Sequence, residues 1–198
     1  MRPDKPFAPA CERNRDPILA VLGTCLHGPR HVLEIGSGTG QHAVHFAAHL
    51  PELTWQCSDQ PEMLAGIRMW LDEAGLANTP PPLALDVNGD WPEIRVDTVF
   101  SANTLHIMSW PEVEHLFERL PTVLAKPGLL IVYGPFRYQG RHTSESNAQF
   151  DRALRIDAPQ RGIRDFEAVD ALAGAIGCEL LHDHAMPANN RCIVWARR

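Results

Sequence analysis

The chain has 198 residues and a formal net charge of −6, a length that fits one domain able to bury a full hydrophobic core. Apolar residues make up 44% and charged residues 21% of it, which excludes disordered and coiled-coil proteins. The acidic balance argues against a nucleic-acid binder, because such a domain normally carries a basic face.

No apolar run approaches the roughly 20 residues that a membrane span needs, and the first fifteen residues contain no apolar leader segment. The five cysteines are scattered and form no C-x-x-C pair, so neither a disulfide framework nor structural zinc is indicated. These features predict a cytoplasmic protein that forms a single domain over residues 1–198 without a membrane partner, and they leave the oligomeric state open.

Apolar runs alternate with amphipathic stretches along the chain. Asp16 and Pro17 predict the start of an opening helix, and Ser109 with Glu112 forms a capping box before another. A short link between the last two strands favours an antiparallel hairpin. The pattern predicts an α/β fold, a Rossmann-like, seven-stranded, mostly parallel sheet with a C-terminal antiparallel hairpin and helices on both faces. The predicted strands are 31–35, 53–58, 83–87, 97–101, 129–133, 178–181 and 192–195, with helices near 41–50, 61–75, 110–120 and 169–176.

One connection is too long for the regular alternation of strands and helices. Residues 137–165 follow the fifth strand and contain six arginines. Connections of this length inside a domain are usually functional, so we expect a cap-like insertion at about 137–165.

The strongest local signal is the glycine-rich loop E-I-G-S-G-T-G, from Glu34 through Gly36 and Gly38 to Gly40, between a strand and a helix. Glycines permit a tight turn and close approach of a ligand, and the helix N-terminus that follows favours an anionic or carbonyl group. A dinucleotide fingerprint would place a third glycine where Gln41 stands.

Three carboxylates follow three successive strands. Glu34 lies in the glycine loop, Asp59 after the second strand and Asp86 at the end of the third. Open α/β sheets bind ligands at the carboxyl ends of their strands, where an acid can accept hydrogen bonds from ribose. Together the three acids favour a nucleoside with a cationic amino-acid tail and no phosphate, and S-adenosylmethionine (SAM) has this chemistry.

On these motifs, and on S-A-N-T-L-H at 101–106 and K-P-G at 126–128, the chain resembles class I SAM-dependent methyltransferases over nearly its whole length. More narrowly it is similar to a small uncharacterised methyltransferase-like family of bacteria and animals. The resemblance implies that SAM is the cofactor and assigns its contacts. Glu34 would lie near the methionine amino group, Asp59 would bind ribose and Asn103 would lie beneath the methionine moiety. The other implied contacts are the loop glycines Gly36, Gly38 and Gly40, and Asp86 with Val87 around the adenine.

The methyl acceptor is expected to be a small molecule, and anionic molecules are among the expected acceptors. His106 is the candidate general base, with a hydrogen-bonded loop histidine as the alternative. An arginine fork binds carboxylate or phosphate, so Arg137, Tyr138, Arg141 and His142 in the insertion are candidate acceptor-binding residues, although these arginines could equally pair with nearby acids. Two further candidates are Arg13 and Asn14.

Two other functions remain open, a non-catalytic SAM-binding module and a nucleotide-dependent oxidoreductase of related fold. Gln41 and Glu34 disfavour the oxidoreductase. His42, His45 and His49 share one helix face but lack a third ligand or a glutamate base, so we predict a solvated surface there and no metal site.

Overall fold

A seven-stranded sheet forms the centre of the computed structural model, which describes residues 4–28 and 30–198. The strands of the described residues are β1 (Arg30–Ile35), β2 (Leu53–Asp59), β3 (Leu83–Ala84), β4 (Val96–Ala102), β5 (Leu124–Gly134), β6 (Phe136–Tyr138), β7 (Arg141–His142), β8 (Arg164–Asp165), β9 (Cys178–Met186) and β10 (Asn190–Arg197). The main sheet has the order β3-β2-β1-β4-β5-β10-β9. Its first five strands are parallel, and β10 runs antiparallel to β5 and β9.

Helices cover both faces of this sheet. They are α1 (Pro9–Cys25), α2 (Gln41–His49), α3 (Leu64–Ala74), α4 (Trp110–Val123), α5 (Glu145–Asp157) and α6 (Phe166–Ala175). One apolar core joins α1, α2 and α3 to the sheet around Phe46, Trp55 and Phe100. The other joins α4 and α6 to the opposite face around Phe117 and Trp195. The predicted fold class is therefore confirmed.

Several predicted boundaries are wrong at the ends of elements. The first helix begins at Pro9 rather than Pro17, and Pro17 lies in its interior. Either proline could occupy the first turn of a helix. The buried residues Asn14, Ile18 and Leu22 lie on both sides of Pro17, so the helix extends in both directions from it. The third strand ends at Ala84 because Asp86 turns the chain by accepting a hydrogen bond from the Asn88 N–H at 2.9 Å.

The C-terminal hairpin is longer than predicted. Its strands reach Met186 and resume at Asn190, so the turn contains only Pro187 to Asn189. Pro61 begins a short 3₁₀ turn rather than the helix itself. The K-P-G segment at 126–128 lies within β5, where the register with β4 shifts.

The insertion at 137–165 has secondary structure of its own. Strands β6, β7 and β8 form a small separate sheet, and α5 is capped by Ser144, whose hydroxyl accepts from the Asn147 N–H. Among residues 4–28 and 30–198, every helix is too short or too polar to cross a bilayer.

Candidate functional site

A cleft of about 310 Å³ opens at the carboxyl ends of β1, β2 and β4. This volume lies at the lower end of the range of small-molecule sites. Five apolar side chains, two carboxylates and one arginine are among the residues that line it. The lining residues are Ile35, Gly36, Asp59, Gln60, Leu85, Val87, Thr104, Ile107, Met108, Glu112, Gln160 and Arg161.

The glycine loop connects β1 to α2 and forms one side of this region. Gly36, Gly38 and Gly40 all have positive φ, a conformation that costs other residues energy. A Cβ at Gly36 would lie 2.6 Å from Thr104 Oγ1, whereas one at Gly38 would meet nothing within 4 Å. The loop therefore has open space beside Gly38 and close packing at Gly36.

Asp59 joins the end of β2 to this loop. Its Oδ2 accepts from the Gly38 N–H at 2.7 Å, and its Oδ1 accepts from the Gln60 N–H at 2.7 Å. Burial raises the pKa of Asp59 above its ordinary value, and the two backbone hydrogen bonds oppose that shift. The carboxylate is thus held at the cleft wall with lone pairs left for a ligand.

Asp86 lies beside this position but points to solvent. Its backbone neighbour Leu85 donates to the Asp59 carbonyl oxygen at 2.8 Å, so the ends of β2 and β3 meet. The Asp86 side chain is exposed, while Leu85 and Val87 face the cleft. Trp91 packs in the core and donates to the Val87 carbonyl.

Glu34 is almost completely buried below the loop. Trp55 Nε1 donates to its Oε2 at 3.0 Å. Burial raises the pKa of Glu34 from 4.5 to about 7, and the Trp55 hydrogen bond offsets part of that shift. The charge of Asp59 makes a smaller contribution that also raises the Glu34 pKa, and the loop that follows the strand of Glu34 donates its Gly38 N–H to Asp59.

Asn103 and His106 follow β4. Asn103 has a positive φ and donates its N–H to the Tyr133 carbonyl oxygen at 2.8 Å, which links the ends of β4 and β5. His106 is 6% exposed, and its ring meets Phe150 edge to face with 5.3 Å between centroids. Burial, and then the charge of Arg164, lowers the pKa of His106 to about 4.

Helix α1 and the residue before it contact the start of α2. The Ala8 N–H donates to Gln41 Oε1 at 2.6 Å, and Gln41 Nε2 donates to Glu12 Oε1 at 3.2 Å. Arg13 is exposed. Asn14 is buried, and its Oδ1 lies 2.7 Å from His42 Nε2.

The prediction of a solvated histidine face on α2 is wrong for His42, which is 5% exposed because α1 packs on it. His45 contacts Asp16, and His49 is exposed. Among the described residues, no group of three or more histidine, cysteine or acidic side chains is arranged to hold a metal ion.

The insertion contributes residues to the cleft that the sequence did not identify. Gln160 and Arg161 line it, and the Gly162 N–H donates to the His106 carbonyl at 3.0 Å. Met108 and Glu112 also line the cleft. The arginine-rich composition of 137–165 drew attention to this segment, but composition could not show which arginine faces inward.

Three of the acceptor-binding candidates make hydrogen bonds to other side chains, and Asn14, bonded to His42, is one of them. Arg137 pairs with Asp165 at 2.6 Å, and the Tyr138 hydroxyl donates to Asp183 at 2.8 Å. Arg141 is exposed, and His142 Nε2 lies 3.6 Å from Asp151. The contacts of Arg137 and Tyr138 stabilise the small sheet and its junction with β9.

Comparison with known proteins finds a matching family model and solved structures with the same fold. The family model described as "Protein of unknown function (DUF938)" matches residues 5–197. Among solved structures, an O-methyltransferase family protein from Burkholderia thailandensis superposes with a TM-score of 0.82 at 15% identity, covering 95% of this chain and 57% of that one.

Two further solved structures have a similar fold. The S-adenosylmethionine-dependent methyltransferase SibL gives a TM-score of 0.80 at 22% identity, covering 95% of this chain and 55% of that chain. The mitomycin 7-O-methyltransferase MmcR gives a TM-score of 0.81 at 18% identity, covering 96% of this chain and 54% of that chain. The chain therefore has the class I methyltransferase fold and spans a little over half the length of these proteins.

Proposed function

The chain belongs to the family described as "Protein of unknown function (DUF938)", and from its fold and its cleft we propose that it is a class I SAM-dependent methyltransferase acting on a small molecule. The observation that carries the proposal is the position of Asp59. Its carboxylate holds the Gly38 N–H of the glycine loop at one wall of a cleft that is also lined by the apolar side chains of Ile35, Leu85 and Val87.

The cleft fits an adenosyl group. Ile35, Leu85, Val87 and Met108 offer apolar surface to a planar base, and Asp59 has the acceptor chemistry that ribose hydroxyls need. Asp86 would contact the adenine after a rotation of its exposed side chain.

The remaining proposed contacts are at the methionine end, at Glu34, Gly36, Gly38, Gly40 and Asn103. When bound there, SAM supplies a methyl group on a positively charged sulfur. The buried carboxyl of Glu34 would favour the cationic amino group, and the open space beside Gly38 would admit the amino-acid tail.

The packing of Gln41 argues against the oxidoreductase alternative. A dinucleotide places its pyrophosphate at the helix N-terminus, but here the Gln41 side chain binds Ala8 and Glu12 of the N-terminal segment. That segment covers the first turn of α2 and brings a carboxylate to it, which disfavours phosphate.

The candidate general base for the acceptor is His106, which lies where β4 ends and contacts Phe150 of the insertion. Residues 137–165 would act as a cap, since Gln160 and Arg161 reach the cleft. Arg13, Asn14, Arg141 and His142 remain candidates for acceptor binding. The shared sheet and its two cores support one domain over 1–198, and the free cysteines fit a reducing cytoplasm.

Calorimetric titration tests the cofactor class. We expect the protein to bind S-adenosylhomocysteine and not NADH under the same conditions. Binding of NADH without binding of S-adenosylhomocysteine would reverse the assignment. Binding of S-adenosylhomocysteine with no transfer of labelled methyl groups to a cell extract would favour a non-catalytic SAM-binding module.

A further inference from the structure

A segment without regular secondary structure, residues 5–8, lies along one side of α3 before α1 begins. We call these four residues the strap. The α3 residues that the strap contacts are Gly66, Trp70 and Glu73. Their spacing of four and then three residues places them on one face of the helix. None of the cofactor contacts proposed above lies in the strap.

Three close contacts hold the strap on this face. The Trp70 Nε1–H donates to the Pro6 carbonyl oxygen at 2.7 Å. The Lys5 ammonium lies 2.7 Å from Glu73 Oε1 and 3.7 Å from the centre of the Trp70 ring, which is a cation–π geometry. Gly66 leaves room for the Pro6 ring, because a Cβ at Gly66 would lie 2.7 Å from Pro6 Cγ. The side chains of α3 therefore fit the strap.

The strap ends at a buried glutamine that begins α2. Gln41 is 5% exposed, and its Oε1 accepts from the Ala8 N–H at 2.6 Å and from the Thr39 hydroxyl at 3.0 Å. Thr39 lies between Gly38 and Gly40 in the glycine loop. One side-chain oxygen thus joins the strap to the loop.

The neighbours of Thr39 carry this link toward the cleft. The Gly38 N–H donates to Asp59, which lines the cleft. A Cβ at Gly40 would lie 3.3 Å from Ile67 Cα, so the loop also packs on α3, next to the strap. Because Ala8 and Thr39 donate to the same oxygen, displacement of the strap frees the Gln41 amide and loosens its hold on Thr39.

Resting on the proposed function, we propose that the strap positions the glycine loop for the cofactor and that Gln41 is the positioning residue through which it acts. Docking of the strap favours the loop conformation that binds SAM. Binding of SAM favours the docked strap by the same factor, because the coupling between two binding equilibria is reciprocal. The strap acts on the cofactor site through Thr39 and not by contact with the reacting atoms.

The first test displaces the strap without weakening the helix beneath it. Gly66→Ala places a Cβ where the Pro6 ring lies, while alanine favours a helix more than glycine does. Gly174→Ala, on α6 with nothing within 4 Å of its Cβ, is the matched control. By calorimetry, Gly66→Ala should lose about fivefold or more in affinity for S-adenosylhomocysteine, and Gly174→Ala should bind as the wild type does. Circular dichroism checks that both variants are folded.

Two results would contradict the proposal in different ways. Equal affinity of Gly66→Ala and the wild type would overturn the role of the strap and leave the cofactor assignment standing. A wild-type protein that does not bind S-adenosylhomocysteine would overturn the proposed function and this inference together.

The reciprocal effect is measured in the wild-type protein by amide hydrogen exchange. The Ala8 N–H is bonded to Gln41, so it exchanges when the strap leaves α2. Saturating S-adenosylhomocysteine should slow this exchange by about fivefold or more. The Gly177 N–H at the end of α6, bonded to the Gly174 carbonyl, is the control and should exchange equally fast with and without the ligand. An Ala8 amide that behaves like Gly177 would show a purely structural strap and overturn the coupling.

A last pair of variants tests whether Gln41 carries the link. Gln41→Met keeps the length of the side chain and removes its accepting oxygen, whereas Trp70→Phe keeps a ring for Lys5 and removes the donor to Pro6. Neither residue is among those that line the cleft. Both variants should bind S-adenosylhomocysteine more weakly, Gln41→Met the more so, and Gln149→Met at an exposed glutamine of α5 should not. Weaker binding by Trp70→Phe with unchanged binding by Gln41→Met would overturn the role of Gln41.

Discussion

The region around the glycine loop and the region around the insertion differ in charge and in how that charge is satisfied. At the glycine loop, which we propose as the cofactor site, the carboxyls of Glu34 and Asp59 accept hydrogen bonds from Trp55 and from the backbone of the loop. At the insertion, the buried cation Arg164 donates to the backbone carbonyls of Leu105, Met108 and Gln160.

The two regions also differ in how the chain builds them. The first comes from residues 34–59, on strands adjacent in both sequence and sheet. The second joins His106 after β4 to Phe150 on α5, and joins Leu105 to Arg164 on β8. The two acids therefore arise from local strand–loop geometry, while the buried cation arises from the packing of an insertion against a distant loop.

The largest effect should come from removing the charge of Glu34. Because its pKa is raised from 4.5 to about 7, the stability that its neutral form provides is complete below pH 4.5 and is lost as the pH rises through 7. At about 1.4 kcal/mol per pKa unit, Glu34→Gln should stabilise the protein by about 3 kcal/mol at pH 8 relative to pH 4.5. Urea unfolding at both pH values measures this, with exposed Glu52→Gln as control. Parallel pH profiles for Glu34→Gln and the wild type would contradict the burial argument.

The next largest effect should come from substitutions that disturb the packing of the glycine loop. Gly36→Ala and Gly38→Ala both place a side chain at positive φ, but only the first meets Thr104 Oγ1 at 2.6 Å. Gly36→Ala should therefore lose about 1–3 kcal/mol more of the free energy of unfolding than Gly38→Ala. Equal losses would mean that backbone strain alone determines the cost.

Asp59 tests the cofactor end directly. Asp59→Ala removes an acceptor of the Gly38 N–H and of the proposed ribose hydroxyls, so affinity for S-adenosylhomocysteine should fall by about 1–2 kcal/mol, or roughly 5–30-fold. Asp72→Ala, at an exposed carboxylate on α3, should change nothing. Calorimetry gives both values, and unchanged affinity in Asp59→Ala would remove this residue from the site.

The smallest effect concerns Arg161 at the cleft rim. It pairs with the exposed Asp157 at 2.5 Å, and such surface pairs contribute about 0–1 kcal/mol. Arg161→Ala should leave the midpoint of thermal unfolding nearly unchanged. A large drop would show that the insertion depends on this residue for its folding.

The sequence determined the parallel sheet, the terminal hairpin and the position of the glycine loop, because periodicity and glycine placement are local properties of the chain. It also placed Glu34 and Asp59 on neighbouring strands, whose carboxyl ends must meet at one edge of the sheet. Only the tertiary structure decided that α1 begins at Pro9 and buries His42, that Asp86 faces solvent, and that the buried Arg164 donates to the carbonyls of Leu105 and Met108 on either side of His106. Those outcomes depend on which distant surfaces pack together, and burial, not residue type, determines the charge state of a carboxyl or an imidazole.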